Sequence, residues 1–165
     1  MVGHAIVDET KKYRYRLSRE WAKPLSGQGY SHPPTITWIM LNPSTADAEQ
    51  DDPTIRRCIT FSDRWGFSKL IVVNLFALRA TNPKHLLTET NPVGQRNHAY
   101  IQAAINESDG VIAAWGAFGL AVPDDVRQVL EGVNLWCLGT TKEGHPRHPL
   151  YVKTITDRVR YEFIP

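Results

Sequence analysis

Amides, histidines, hydroxyls and cations stand in this chain where apolar runs stop. Asn42, Pro43 and Ser44 directly follow the run 36–41. Asn74 interrupts a second run, 70–76, which ends at Phe76 with Arg79 behind it. Trp115 and Gly116 close a third run, 111–115. A fourth, 135–138, leads into Gly139-Thr140-Thr141-Lys142, then His145-Pro146-Arg147-His148-Pro149-Leu150 and Tyr151. An asparagine amide both donates and accepts hydrogen bonds. A histidine held in a proline-stiffened loop can serve as an acid or as an electrostatic catalyst. An indole at a strand end can act as a stacking platform.

Each feature also has a plain structural account. Asn-Pro-Ser after a strand is ordinary turn chemistry. Asn74 within an apolar run must find partners, because an unmet buried polar group costs about 1–3 kcal/mol; neighbouring backbone could supply them. Trp115-Gly116 reads equally as core followed by a turn, and loop histidines are often merely exposed. Asp51 and Asp52 read as helix caps, and Arg56, Arg57 and Arg64 as a solvated helix face rather than a DNA patch. Asp47 carries no assignment. What favours function is convergence, since every strand end delivers polar or flat residues to one rim.

That rim exists only if the runs form one sheet. Continuous apolar runs of this length suit strands covered on both faces, as in a parallel sheet. Helical patterns lie between them. One starts at Asp52-Pro53, an acidic cap and a first-turn proline, and carries Ile55, Cys58, Ile59, Ser62 and Trp65 to a stop at Gly66. Others span 92–108 and 123–131, with a short turn at 83–87. Residues 13–21 alternate large and charged side chains, the period of a half-exposed strand. With the next strand they suggest an antiparallel edge, and 24–34 reads as a loop. The expected fold class is α/β: three α/β/α layers, a central four-stranded mainly parallel sheet and an N-terminal antiparallel edge extension. In such sheets ligands bind beyond the carboxyl ends of the strands.

The chain has 165 residues, which suits one domain, with 1–35 as edge strand and loop and 36–165 as core. No run approaches the roughly 18 apolar residues of a membrane span. The first residues lack the apolar stretch of a signal peptide. Cys58 and Cys137 have no metal or disulfide spacing and read as reduced core thiols. The expectations are a cytoplasmic monomer, no membrane, no metal and no cofactor. A net charge of +2 is compatible with nucleic acid without demanding it.

In motif order the chain from about residue 36 resembles the uracil-DNA glycosylase superfamily. Leu41-Asn42-Pro43 is similar to the first motif of the mismatch-specific thymine/uracil branch. Val72-Val73-Asn74 is similar to the second motif, Trp115-Gly116 to a common strand end, and His148-Pro149-Leu150 to the start of the final loop. The string LNPSTAD…DDPT…VVNLFALRAT…WG…HPLY also looks like a bacterial and phage domain family of unknown function. There are departures: Met40-Leu41 stands where a glycine precedes the motif, Ser44 replaces the following glycine, and Tyr151 stands where serine is frequent. The water-activating aspartate of one branch has no counterpart.

The resemblance implies cleavage of the N-glycosidic bond of a damaged, mismatched or modified base in DNA. It makes Asn42 the positioner of water and His148, rather than His145, the donor to the leaving base. Asn74 would read the base edge, with Pro43 and Ser44 beside it and Phe76, Trp115 or Gly116 supporting a stacked ring. Ser44, Thr45, Thr140 and Lys142 would hold phosphates. Arg147, Leu150 or Tyr151 would fill the gap left by a flipped base. Alternatives are an N-glycosidase of a free modified nucleotide and a module that binds a nucleotide or modified base without cleaving it.

Overall fold

A computed structural model describes residues 1–21 and 32–163; most of the 24–34 loop expectation therefore lies outside the described residues. In chain order the strands and helices are β1 (Val2–Val7), β2 (Arg14–Glu20), β3 (Thr35–Met40), α1 (Pro53–Arg64), β4 (Lys69–Asn74), α2 (Asn97–Asn106), β5 (Gly110–Ala113), α3 (Asp124–Leu130), β6 (Leu135–Cys137) and β7 (Val159–Tyr161). Short 3₁₀ turns occupy Pro83–Leu87 and Pro149–Tyr151.

The strands form one seven-stranded mixed sheet in the order β1-β2-β4-β3-β5-β6-β7. This corrects the expected four-stranded, mainly parallel sheet. The pairs β4–β3, β3–β5 and β5–β6 are parallel, whereas β1–β2, β2–β4 and β6–β7 are antiparallel. The four apolar runs are the parallel block. β2, expected as a strand from its alternation, extends one edge together with β1, and β7 extends the other; β1 and β7 carry no strand expectation. β2 pairs with β4, not with the next strand in sequence.

Alternation along the central strands separates two cores. Ile36, Trp38 and Met40 join Val72 and Ile112 beneath Ile55, Cys58 and Phe61 of α1. Ile39, Ile71, Val73, Val111 and Ala113 meet Ile101 and Ala104 of α2 and Val126 and Leu130 of α3. Helices thus cover both faces, which is why the central runs are apolar throughout.

Three local expectations change. β2 is buried along nearly its whole length instead of half-exposed. Its Tyr15 stacks on Tyr100 of α2, while Leu17 belongs to the α1-side core. The helix expected from 92 begins at Asn97. Before it, the carbonyls of Pro92 and Val93 accept from the backbone N–H of Leu78 and Ala77, which holds that stretch extended. Of the α1 arginines expected as a solvated face, Arg56 is exposed and donates only to the nearby Asp51 carbonyl, whereas Arg57 and Arg64 are engaged elsewhere. Arg57 donates to the carbonyls of Pro149 (3.2 Å) and Val152, and Arg64 to those of Thr154 and Thr156 and to Asp157. They bind α1 to the segment after His148. Cys58 and Cys137 are free and buried.

Candidate functional site

Because β3, β4, β5 and β6 run parallel, their carboxyl ends share one edge of the sheet. A cleft of about 410 Å³ opens there, within the usual range of small-molecule sites. Asn42, Ser44, Asn74, Trp115, Gly116, His148 and Tyr151 line it, so residues from four separate chain segments meet there, while Phe76, Arg79 and residues 139–142 do not line it.

Asn42 follows the end of β3 by two residues. Its Nδ2 donates to the carbonyls of Pro43 (3.0 Å) and Ala80 (2.8 Å). Both amide hydrogens are therefore used, which sets the orientation of the group and leaves Oδ1 as a free acceptor. Pro43 is buried and outside the cleft wall. Its carbonyl also accepts from the Ala80 N–H, so the residue builds the turn rather than touching a ligand.

Asn74 is the last residue of β4, opposite Met40 of β3, and is 1% exposed. Its Nδ2 and Oδ1 are buried without a hydrogen-bond partner. Asn97 donates to the carbonyls of Asn74 (2.8 Å) and Leu75 (3.2 Å), clamping the strand end from α2. The backbone is thus held while the side-chain amide is left bare, which costs stability. Neighbouring backbone does not satisfy it.

Trp115 is buried, with Tyr161 and Phe163 edge-on to its ring, and only part of it reaches the cleft. Phe76 is not at the cleft; it packs in the core beneath α2 and α3. The chain leaves the strand after Asn74, so strand alternation no longer governs where Phe76 falls. Phe118, from the loop after β5, joins Trp115 and Tyr151 as an aromatic of the wall.

The two histidines separate. His145 lies in a tight turn whose backbone pairs with Thr141. His148 lines the cleft and caps the turn Pro149–Tyr151, its Nδ1 accepting from Leu150 N–H (3.3 Å). With Nδ1 an acceptor, the neutral ring carries its proton on Nε2. Burial lowers the pKa of His148 below its ordinary value, partly opposed by the charge of Asp52. Tyr151 is 82% exposed at the mouth, its ring 5.6 Å from that of His148, and Leu150 is exposed beside it. Thr140, Lys142, Arg147 and Leu150 lie outside the cleft wall. Lys142 and Arg147 are exposed, Arg147 donating from Nε to the Thr140 carbonyl (3.0 Å).

Sequence reasoning missed two charged residues of the wall, Arg14 and Asp52. Asp52 does cap α1, Oδ1 accepting from Ile55 N–H (2.9 Å), but it also faces the cleft. Reading an acid as a cap hid its second role. Arg14 is 2% exposed and donates from Nη1 to the Ala46 carbonyl (2.5 Å). Its neighbour in β2, Arg19, binds Asp51 (2.8 Å) and the carbonyls of Asp47 and Gln50. The two arginines hold the 44–52 segment between Ser44 and Asp52. Asp47, unassigned from sequence, accepts from the N–H groups of Glu49 and Gln50 and shapes that segment. A charged pair inside an otherwise strand-like stretch was the available signal.

Among the described residues no group of three or more His, Cys, Asp or Glu side chains is placed to hold a metal ion. No helix among them is long and apolar enough to cross a membrane.

Residues 14–150 match the family described as protein of unknown function (DUF1643), and the chain belongs to that family. No curated protein and no solved structure matches it.

Proposed function

We propose that the cleft binds a nucleobase and hydrolyses its N-glycosidic bond, the leading substrate being a damaged, mismatched or modified base in DNA. The observation that carries this reading is the bare amide of Asn74 in the wall of a cleft that also contains Asn42 and His148. An amide offers one donor and one acceptor, the pattern on the edge of a pyrimidine or purine. The reaction breaks the C1′–N bond with its electron pair leaving on the base, while a water oxygen bonds to C1′. Asn42 Oδ1 accepts from that water and positions it; it does not deprotonate it. Asp52 supplies a negative charge near the developing positive sugar and receives the water's proton. His148, neutral with its proton on Nε2, donates to a carbonyl oxygen of the base as charge grows there. Donors aimed at developing charge are typically worth about 3–4 kcal/mol each.

The exposed side chains of Leu150 and Tyr151 at the mouth support DNA, since they suit the space vacated by a flipped base. The net charge of +2 favours a second reading, a free modified nucleotide cleaved in the same way.

The test is a base-release assay on single- and double-stranded oligonucleotides carrying uracil, hypoxanthine, mismatched thymine or 5-modified pyrimidines. Release should occur on one of these and disappear in Asn42→Ala. Asp52→Asn keeps a capping side chain but not the charge, so it should lose activity while melting near the parent. Release at the parent rate from Asp52→Asn would remove Asp52 from the mechanism. Silence across the panel from a folded protein, with binding retained, would leave a non-catalytic binding module.

A further inference from the structure

Arg14 has no part in base recognition or bond cleavage as set out above, yet the chain goes to some length to place it. Along β1–β2, Ile6 pairs with Arg16 and Val7 with Arg14, so Tyr15 is an extra residue in the ladder. This bulge breaks the alternation of β2. Tyr15 and Arg16 both serve the α2 side, through Tyr100 and through Glu107 just beyond that helix. Arg14 is thereby turned to the opposite face and into the cleft wall, the re-aiming that bulges beside functional sites perform.

Once there, its charge is poorly met. Nε is buried with no partner, Nη2 donates to no described residue, and only Nη1 is bound, to one carbonyl. No carboxylate among the described residues forms an ion pair with it. Asp52 is the acid that acts on it most strongly, and its Oδ1 already caps α1. Arg19 is matched by Asp51, whereas Arg79 adds positive charge near Arg14. Burial, opposed by Asp52 and aided by Arg79 and Arg19, pulls the guanidinium pKa down to about 10, so it remains charged at neutral pH. A charge taken out of water without a partner is costly unless something else supplies the counter-charge.

We infer that the inner wall of the cleft is an oxyanion subsite, in which the free edge of Arg14 pairs with a carboxylate or phosphate carried by the ligand. A guanidinium edge matches two coplanar acceptor oxygens, and Arg is suited to both groups. The bare amide of Asn74 lines the same cleft, so the ligand is a hydrogen-bonding ring that also bears an anion. The inference rests on the cleft being the ligand site, as in the glycosidase reading, but not on bond cleavage.

The experiment is calorimetric titration of the whole protein with matched neutral and anionic probes. Uracil against orotate tests a carboxylate on the ring; uridine against uridine 5′-monophosphate, with inorganic phosphate alongside, tests a phosphate. The anionic member of one pair should bind about tenfold more tightly or better, as a charge-assisted pair predicts. That preference should vanish in Arg14→Met, whose folding is checked by circular dichroism. Equal affinities within both pairs in the parent protein, or no binding of any probe at millimolar concentration, would overturn the subsite without reference to the variant. A preference that survives in folded Arg14→Met would do so too. Base release with no anion preference would sink this inference and leave the glycosidase reading intact. An Arg14-dependent preference with no base release would do the reverse.

Discussion

At the scale of single residues, the cleft is marked by groups that would be better off elsewhere. Asn74 leaves both amide atoms unpartnered in the interior, which is a stability cost borne for some other purpose. Asn74→Leu, similar in volume and apolar, should therefore melt at or above the parent temperature by up to about 1–3 kcal/mol of stability, while binding in the cleft is lost. Differential scanning calorimetry checks the first and probe titration the second. A large destabilisation would mean that the amide has structural partners after all. His148 gives a pH prediction of definite sign. Its folded pKa is lowered, so from pH 6.5 downward the unfolded chain takes up a proton that the folded chain resists. Stability then falls as pH drops through and below that value, and His148→Gln should flatten the fall in urea titrations. A hydrolysis rate that depends on neutral His148 should stay level down to pH 6.5 and decline only below it.

At the scale of elements, the site is assembled by arginines acting on backbone carbonyls. Arg14 and Arg19 reach from β2 to the 44–52 segment, and Arg57 and Arg64 tie α1 to the segment behind His148. Gly3 of β1 allows the first of these segments to close down, because a Cβ there would lie 2.2 Å from the Ala48 carbonyl oxygen. Arg19→Met strands Asp51 and two carbonyls in a largely enclosed place, so it should cost about 3–5 kcal/mol in urea unfolding, as removal of one partner of a buried pair does. Arg57→Ala is milder. It frees the turn that His148 caps, and base release should fall with little change in melting temperature. Rates equal to the parent would show that the turn holds its place without Arg57.

At the scale of the whole molecule, the question is how a protein of net charge +2 meets a polyanion. Exposed Lys142 and Arg147 follow β6 on the chain leading to His148, and Tyr151 projects at the cleft mouth. If DNA is the substrate, log affinity should fall linearly with log salt, and Arg147→Ala should reduce the slope by about 0.9 where that side chain meets a duplex phosphate. A slope near zero in the parent protein would favour the free nucleotide. Two antiparallel strands at one edge of the parallel block and one at the other complete the sheet; β2, from the first, also supplies the cleft with Arg14.

Local chemistry by itself determined much of this. Four largely apolar runs specify strands covered on both faces, and parallel strands place their carboxyl ends together, so the residues at those ends, Asn42, Asn74 and Trp115, share a rim. Asp52-Pro53 specifies where α1 begins, because a carboxylate cap and a proline each suit a helix start for reasons internal to a few residues. Tertiary structure decided the rest. Whether Phe76 faces core or cleft depended on where β4 ends, which the sheet edge settles. The burial of Arg14 depended on a bulge against β1 and on pairing of β2 with a strand some fifty residues away. Arg57 and Arg64 of α1 look solvated in the helix period alone, and only the return of the chain after β6 gives them carbonyls to bind. Periodicity encodes which face of an element avoids water; it holds no information about which distant backbone will arrive to meet the other face.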